Sequence, residues 1–358
     1  MQVGIIGLPN AGKSTIFNAL TKADAVVASF AFSTIEPNNG LISVPDPYIS
    51  EIAKIFNSPK ITYSSIKILD IAGLVKGASR GEGLGNKFLS HIREADVIAH
   101  VIRCFYDENI ASAQGSAGPA EDVATVETEL MIADLETLEK RREKYVSLSK
   151  SGDKQSKQNL DTINEIISAL NSLKTDLVIK ILNSSPELQA ELNLLSIKPV
   201  IYVANLNDDD RSKAIFNKFH SEFSKGKIVK IYGKIENELA GFPEEERSLF
   251  RKELGIEENG IQKFILECYS MLDLITFYTA NENEARAWPL KKGSKVIEAA
   301  GKIHTDMQRG FIKAETVNCN DIIRAGSMHH AREEGKVRLE GREYIVADGD
   351  LIQIKFAV

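Results

Sequence analysis

Eight consecutive residues near the amino terminus, Gly7-Leu8-Pro9-Asn10-Ala11-Gly12-Lys13-Ser14, match the spacing G-x-x-x-x-G-K-[ST] in full. Each residue type has a job in that spacing. Gly7 and Gly12 let the backbone wrap an anion with its amides facing inward. Lys13 can reach β- and γ-phosphate oxygens, and the Ser14 hydroxyl can ligate Mg²⁺. The apolar run Val3-Gly4-Ile5-Ile6 precedes the motif and the helical run Thr15-Ile16-Phe17-Asn18-Ala19-Leu20 follows it. The positive helix N-terminus therefore also faces the anion. This context makes a merely tight turn the minor alternative, and Asn10, Ala11, Gly12, Lys13, Ser14 and Thr15 are the expected phosphate-binding residues.

A second element lies about sixty residues on, at the distance expected for the companion of such a loop. Ile68-Leu69-Asp70-Ile71-Ala72-Gly73 carries a carboxylate at the end of an apolar strand, three residues before a glycine. Asp70 is expected to hold Mg²⁺ through water, and the Gly73 amide to contact a terminal phosphate and act as a switch hinge. In the aperiodic segment between the two motifs, Thr34 is the candidate for a second Mg²⁺ hydroxyl; alone it would be an ordinary loop threonine.

A later strand ends in Asn205-Leu206-Asn207-Asp208. Guanine-reading proteins use N-K-x-D there, the Asp carboxylate accepting from two guanine N–H groups. Here Leu206 replaces the Lys and is expected to pack on the base without its charge. Asp208 still disfavours adenine unless it turns away, because adenine offers a ring-nitrogen acceptor where guanine offers a donor. Asn205, Leu206 and Asp208 are the base-site candidates, with ATP and GTP both open at this point.

The elements that must position these groups read as an α/β parallel sheet. Val3 to Ile6, Ile66 to Leu69 and Val97 to Ile102 are nearly continuous apolar strands, as when helices cover both sheet faces. The sheet resumes at Pro199 to Ala204 and Ile228 to Tyr232. Between them, residues 120–195 turn to long, charged helices. Val126, Leu130, Ala133, Leu138, Tyr145 and Leu148 approximate one apolar stripe, and Ile163, Ile167, Leu170 and Leu173 another, across the break Ser151-Gly152-Asp153. Two antiparallel helices are expected, either as a projecting arm or as a subdomain packed on the body. After Met271 strands return at Leu274 to Tyr278, Phe311 to Val317, Tyr344 to Val346 and Leu351 to Phe356. A turn at Asp348-Gly349-Asp350 and a helix from Ile322 to Glu334 complete an α+β module.

Composition sets the outer limits. The chain has 358 residues, 43% hydrophobic and 26% charged, enough for two or three globular domains and against wholesale disorder. Its net charge of −6 argues against a dedicated nucleic-acid binder. Cys104, Cys268 and Cys319 lack C-x-x-C spacing, so buried reduced thiols are expected rather than zinc or disulfides. No leader pattern or membrane-length apolar run is present, so the expectation is cytoplasmic with no membrane contact. His91, His100 and His304 read as packing or partner residues, since no triad or metal-spaced cluster contains them.

Together these residues resemble the Obg-like ATPase family, YchF subfamily. The resemblance covers essentially the whole chain. It rests on Gly7 to Ser14, Thr34 to Asn38, Asp70 to Ala78 continuing through Gly81 to Asn86, His91 to Glu94, Val101 to Phe105, and Ala300 to Asp306. It implies a G domain (residues 1–119 and 196–273), an inserted helical coiled-coil arm (120–195) and a C-terminal β-grasp TGS domain (274–358). It also implies an ATPase acting as a ribosome- or translation-associated switch; Asp208 keeps a GTP-dependent switch as the alternative, and Leu74 a barely hydrolysing scaffold as a third. The family's ATP preference goes with N-x-x-E, whereas this chain has Asp208; ATP remains the favoured substrate because Leu206 lacks the guanine-associated Lys. Leu74 stands where related enzymes carry a water-positioning Gln, which leaves the catalytic residue unknown. A His that some relatives use aligns with Ala111 or Ser112, so its role is not carried over. Asn10 resembles an Asn that recruits K⁺. Lys291, Lys292, Lys295, Lys302, Arg309 and Lys313 give the C-terminal module a basic surface that could meet RNA phosphates.

Overall fold

A computed structural model describes residues 1–27, 39–71, 84–108, 117–150, 152–256 and 259–357. Thr34, Gly73, Leu74, Ala111 and Ser112 lie outside these. The chain divides into two compact units, one built around Met1–Ala19 and Ile68–Leu239, the other around Gly40–Lys67 and Ala240–Val358.

Among the described residues, strands of the first unit lie side by side in the order β4 (Ser65–Asp70), β1 (Gln2–Ile6), β5 (Val97–Arg103), β6 (Val200–Asn205), β7 (Ile228–Ile231). The pairs β1–β5, β5–β6 and β6–β7 are parallel. Their apolar runs are buried almost throughout, because helices cover the sheet. These are α1 (Lys13–Val27), α3 (Leu84–Glu94), α4 (Pro119–Ser149), α8 (Asp210–Glu222) and α9 (Gly233–Leu239). The core on one flank joins Ile6, Leu69, Ile71 and Ile98 to Phe88 and Ile92 of α3 and to Val126, Leu130 and Ala133 of α4.

The first half of α4 thus packs on the sheet, while its second half joins a separate core with α5 (Lys154–Asn171), α6 (Thr175–Asn183) and α7 (Pro186–Leu192). Leu138, Tyr145, Ile163, Ile166, Leu170, Val178, Leu182, Leu188 and Leu192 fill that core. Pro119 opens α4 with Glu121 and Asp122 in its first turn, where negative charge suits the helix dipole. Asp153 caps α5, accepting from Ser156 N at 2.9 Å. The expected pair of helices is therefore present and extended by two more. Two stripe positions depart from expectation. Leu148 is 43% exposed near the end of α4, and Leu173 is 72% exposed, lying past the end of α5 in the left-handed region (φ 56°) and off its apolar face.

The return from the helical insertion to the sheet is fixed by one buried carboxylate. Asp134 accepts from Leu195 N at 2.8 Å, Ser196 N at 2.7 Å and Ser196 Oγ at 2.6 Å. Burial pushes its pKa up, and these three donors together with Arg93 counter the shift.

A mixed sheet in the order β11 (Arg338–Glu340), β10 (Phe311–Asn318), β12 (Asp350–Phe356), β8 (Leu274–Ala280), β9 (Glu284–Lys291), β3 (Lys60–Thr62) runs through the second unit. The contacts β8–β12 and β3–β9 are parallel and the others given are antiparallel. The remaining elements are β2 (Asn39–Ser43), α2 (Ile49–Phe56), α10 (Glu244–Glu253), α11 (Gly260–Met271), α12 (Val296–Ile303), α13 (Thr305–Arg309), α14 (Cys319–Ala325) and α15 (Met328–Glu333). The single helix expected over Ile322 to Glu334 is broken in two, because Gly326 takes φ 71° and caps α14 while Ser327 caps α15. Tyr344 to Val346 forms one isolated bridge, Ile345 to Lys295, instead of a strand, and the Ala347 amide is drawn onto Asp350 Oδ2 at 2.9 Å. All three cysteines are free and buried. No helix among the described residues is long and apolar enough to cross a membrane.

Asp134→Ala strands two backbone amides and a hydroxyl in the core, so urea unfolding should show a loss of roughly 1–3 kcal/mol; unchanged stability would contradict the role given to this carboxylate.

Candidate phosphate and base site

The loop between β1 and α1 is held by a small set of backbone conformations and contacts. Asn10 takes φ 65°, Gly12 φ 90°, and Ala11 N donates to Leu8 O at 3.3 Å. A β-carbon on Gly12 would come within 2.1 Å of Asn205 Nδ2, so only glycine fits beside that amide. Asn205 is 5% exposed and both its amide atoms are engaged. Nδ2 donates to Ala11 O at 3.0 Å and Oδ1 accepts from Gly233 N at 3.1 Å. This side chain therefore fastens the phosphate loop to the turn after β7. Sequence reasoning named Asn205 but missed Gly233, whose signal was the Tyr232-Gly233 pair ending an apolar run.

Lys13 begins α1 with its side chain buried and its Nζ donating to Leu8 O at 2.9 Å. Burial lowers its pKa and Asp70 partly restores it. Ser14 is exposed on the same turn, its Oγ donating to Asp70 Oδ2 at 3.3 Å. Burial raises the Asp70 pKa, while Ser14 and Lys13 pull it down. The end of β1 and the end of β4 thus bring an ammonium, a hydroxyl and a carboxylate together. Thr15 follows on α1, half-buried, and Asn10 is exposed on the loop.

The base-site candidates separate. Leu206 is 1% exposed and packs with Ile102, Cys104, Val123, Phe216 and Phe219. Its side chain lies in the core, while Asp208, two residues on, is exposed. The Asp208 carboxylate lies 2.8 Å from Lys213 Nζ, a partner that sequence reasoning did not name. Lys213 is five residues on in sequence, in the first turns of α8.

His100, expected to be a packing residue, is 2% exposed in the middle of β5, with its ring 5.9 Å from that of Tyr202. Its Nε2 has no hydrogen-bond partner among the described residues. Burial, reinforced by the Lys13 charge, lowers its pKa from 6.5 to about 3.

Residues 2–206 match the family model described as 50S ribosome-binding GTPase, and residues 274–357 match YchF-GTPase_C, described as a protein of unknown function. The ribosome-binding ATPase YchF of Bacillus subtilis is 44% identical over 364 residues, covering 100% of both chains. The chain belongs to the YchF family. The Escherichia coli O157:H7 protein of the same name is 41% identical, covering 100% of this chain and 99% of its own. The solved structure of the Schizosaccharomyces pombe YchF GTPase superposes with a TM-score of 0.86 at 31% identity, over 99% of this chain and 97% of that one. The fold is accordingly the YchF fold: a P-loop GTPase-type domain with a helical arm and a C-terminal β domain. The bacterial relatives are named ATPases and the yeast one a GTPase.

Since the folded-state pKa of His100 lies below its unfolded one, acidification from about pH 6.5 towards about 3 protonates the unfolded chain first and destabilises the fold. The His100 ring resonances should accordingly stay those of a neutral imidazole from pH 8 down to pH 5; a midpoint near 6.5 would contradict the burial.

Proposed function

We propose that this chain is a Mg²⁺-dependent nucleoside triphosphatase that hydrolyses ATP to ADP and phosphate and acts as a regulatory switch on the ribosome. The single observation that carries the reading is the convergence of Lys13, Ser14 and Asp70 at the turn between β1 and α1. An ammonium, a glycine-bearing loop and a helix N-terminus suit a polyphosphate. The hydroxyl of Ser14 and the carboxylate of Asp70 are hard oxygen donors, which fits Mg²⁺ rather than a soft metal. Bound there, the ion would supply charge neutralisation on the β- and γ-phosphate oxygens. Ser14 and Asp70 would hold it, with Thr34 as a further ligand, and the Gly73 amide would meet the terminal phosphate. Lys13 would exchange its Leu8 carbonyl for phosphate oxygens, and Asn205 would keep the loop in register.

Leucine at position 74 has no group with which to orient water, so the proposal includes slow turnover that a partner raises. The names of the bacterial relatives support the ribosome as that partner, and family membership supports cytoplasmic location. K⁺ beside Asn10 is the proposed charge-neutralising monovalent ion. We assign residues 1–119 and 196–273 to the G domain, 120–195 to the arm and 274–358 to the TGS domain. An RNA contact through the last of these is supported by Lys292, Lys302, Arg309 and Lys313, which are exposed. Lys295 is paired with Glu343, and Lys291 donates to Leu272 O.

GTP is the second reading, favoured by the carboxylate at Asp208 and by the name of the yeast relative. Mg²⁺-dependent competition between ATP and GTP for the purified chain, followed by turnover with and without co-sedimenting ribosomes, tests the proposal. Tighter ATP binding and ribosome-stimulated ADP release are expected. A GTP affinity well above that for ATP would overturn the substrate, and failure to co-sediment would overturn the partner.

A further inference from the structure

Asp208 occupies a narrow position in the fold. It follows the end of β6, and the next residue, Asp209, is already committed to capping α8, accepting from Ser212 N at 2.7 Å and Ser212 Oγ at 3.0 Å. That cap fixes the first turn of the helix, on which Lys213 N donates to Asp209 O at 3.1 Å. The Lys213 side chain returns from this turn to Asp208, Nζ to Oδ1 at 2.8 Å. Tyr232, just before the Gly233 amide that binds Asn205, sits in the field of both charges. Burial raises its phenol pKa most, with Lys213 lowering it and Asp208 raising it. Asn205 and Gly233 tie the phosphate loop to the segment that carries Tyr232, and Asp208 follows Asn205 by three residues.

Guanine and adenine make opposite demands on such a carboxylate. Guanine presents two donors, N1–H and the exocyclic N2–H₂, which need both carboxylate oxygens as unhindered acceptors. Adenine presents an acceptor at N1 and no donor at C2, so it gains nothing from a free carboxylate and loses less when that charge is neutralised. An ammonium already donating to Oδ1 competes with the first base and eases entry of the second.

We propose that Lys213 is a specificity-determining positioning residue: by holding the Asp208 carboxylate it withholds from guanine the acceptor that would otherwise make this site a GTP site. The proposal rests on the nucleotide reading above and names the residue that decides its base. The pair is partly exposed, at 47% for Lys213 and 25% for Asp208, so its effect is modest.

The test is the ratio of GTP to ATP affinity, measured with Mg²⁺ on the full-length chain for the unmodified protein, Lys213→Met, Lys213→Arg, Asp208→Asn and the Lys213→Met/Asp208→Asn pair. Lys213→Met should tighten GTP about two- to five-fold while leaving ATP within a factor of about two. Lys213→Arg should keep the unmodified ratio. In the Asp208→Asn background the Lys213 substitution should no longer change the ratio, because the carboxylate through which it acts is gone. A Lys213→Met chain with an unchanged ratio, or with weakened GTP, would overturn the proposal, the latter by making Lys213 a support for guanine binding. Equal loss of both nucleotides would overturn it too, by making Lys213 a scaffold of the whole site. Failure of the phosphate reading looks different: the unmodified chain would bind neither nucleotide, and the base latch would fall with it.

Discussion

A β-carbon on Gly7 would meet the Val101 carbonyl oxygen at 2.4 Å, and one on Gly4 would meet Ile71 Cδ1 at 2.8 Å. The first strand can therefore lie between β4 and β5 only because its backbone is bare where it turns out of the sheet, and every other feature of the site depends on that close approach. It sets where the phosphate loop begins, and it brings the loop within reach of residues from β4 and β6. Ile71 N donates to Ile5 O at 3.2 Å, continuing the pairing of β1 beyond Asp70. Asp70 is held opposite Ser14 by this backbone register. The loop is then closed from its other side by Asn205, so that three strand ends hold one turn.

Electrostatics follow from this packing. Lys13 and Asp70 are both partly stripped of water, each moving the other's pKa back towards its ordinary value. His100 lies behind them in the sheet, and with Lys13 nearby a second cation there is strongly disfavoured, so the imidazole stays neutral. Among the described residues this turn thus sets positive charge at Lys13 and the N-terminus of α1 beside negative charge at Asp70, a polarity suited to a polyphosphate with its counter-ion. Beyond the end of β6 the contacts are separate: Lys213 on Asp208 and the two hydrogen bonds of Asn205.

The phosphate loop and the strands around it were legible in the sequence because each glycine and each apolar run has one steric or solvation reason to be there. Gly7, Gly12, Lys13, Ser14 and Asp70 could be named from type and spacing alone. Base recognition was less legible. Leu206 and Asp208 are neighbours in a short segment, and which of them faces the core depends on how the chain leaves β6. Only the structure resolves that Leu206 enters the Phe216 and Phe219 cluster. Lys213 was invisible because an ion pair five residues apart across a helix cap has no periodic signature. The C-terminal unit was half-read: β8 and β12 carry apolar runs, whereas β9 sets its buried Ala285 and Ala287 among Glu284, Arg286 and Pro289. Gly326 broke a helix whose apolar pattern runs through it, since hydrophobic periodicity does not report a left-handed residue.

The central claim is that an ammonium and a ring of amides at the start of α1 capture a polyphosphate. The direct measurement is calorimetric titration of ATP and of GTP, each with Mg²⁺, into the unmodified chain and into Lys13→Ala, with circular dichroism to verify that both are folded. Saturable binding to the first is predicted, with loss of at least about a hundred-fold in affinity for both nucleotides in the second, since the group removed is a largely desolvated charge aimed at charged oxygens. A folded Lys13→Ala chain that binds either nucleotide as tightly as the unmodified protein would contradict it.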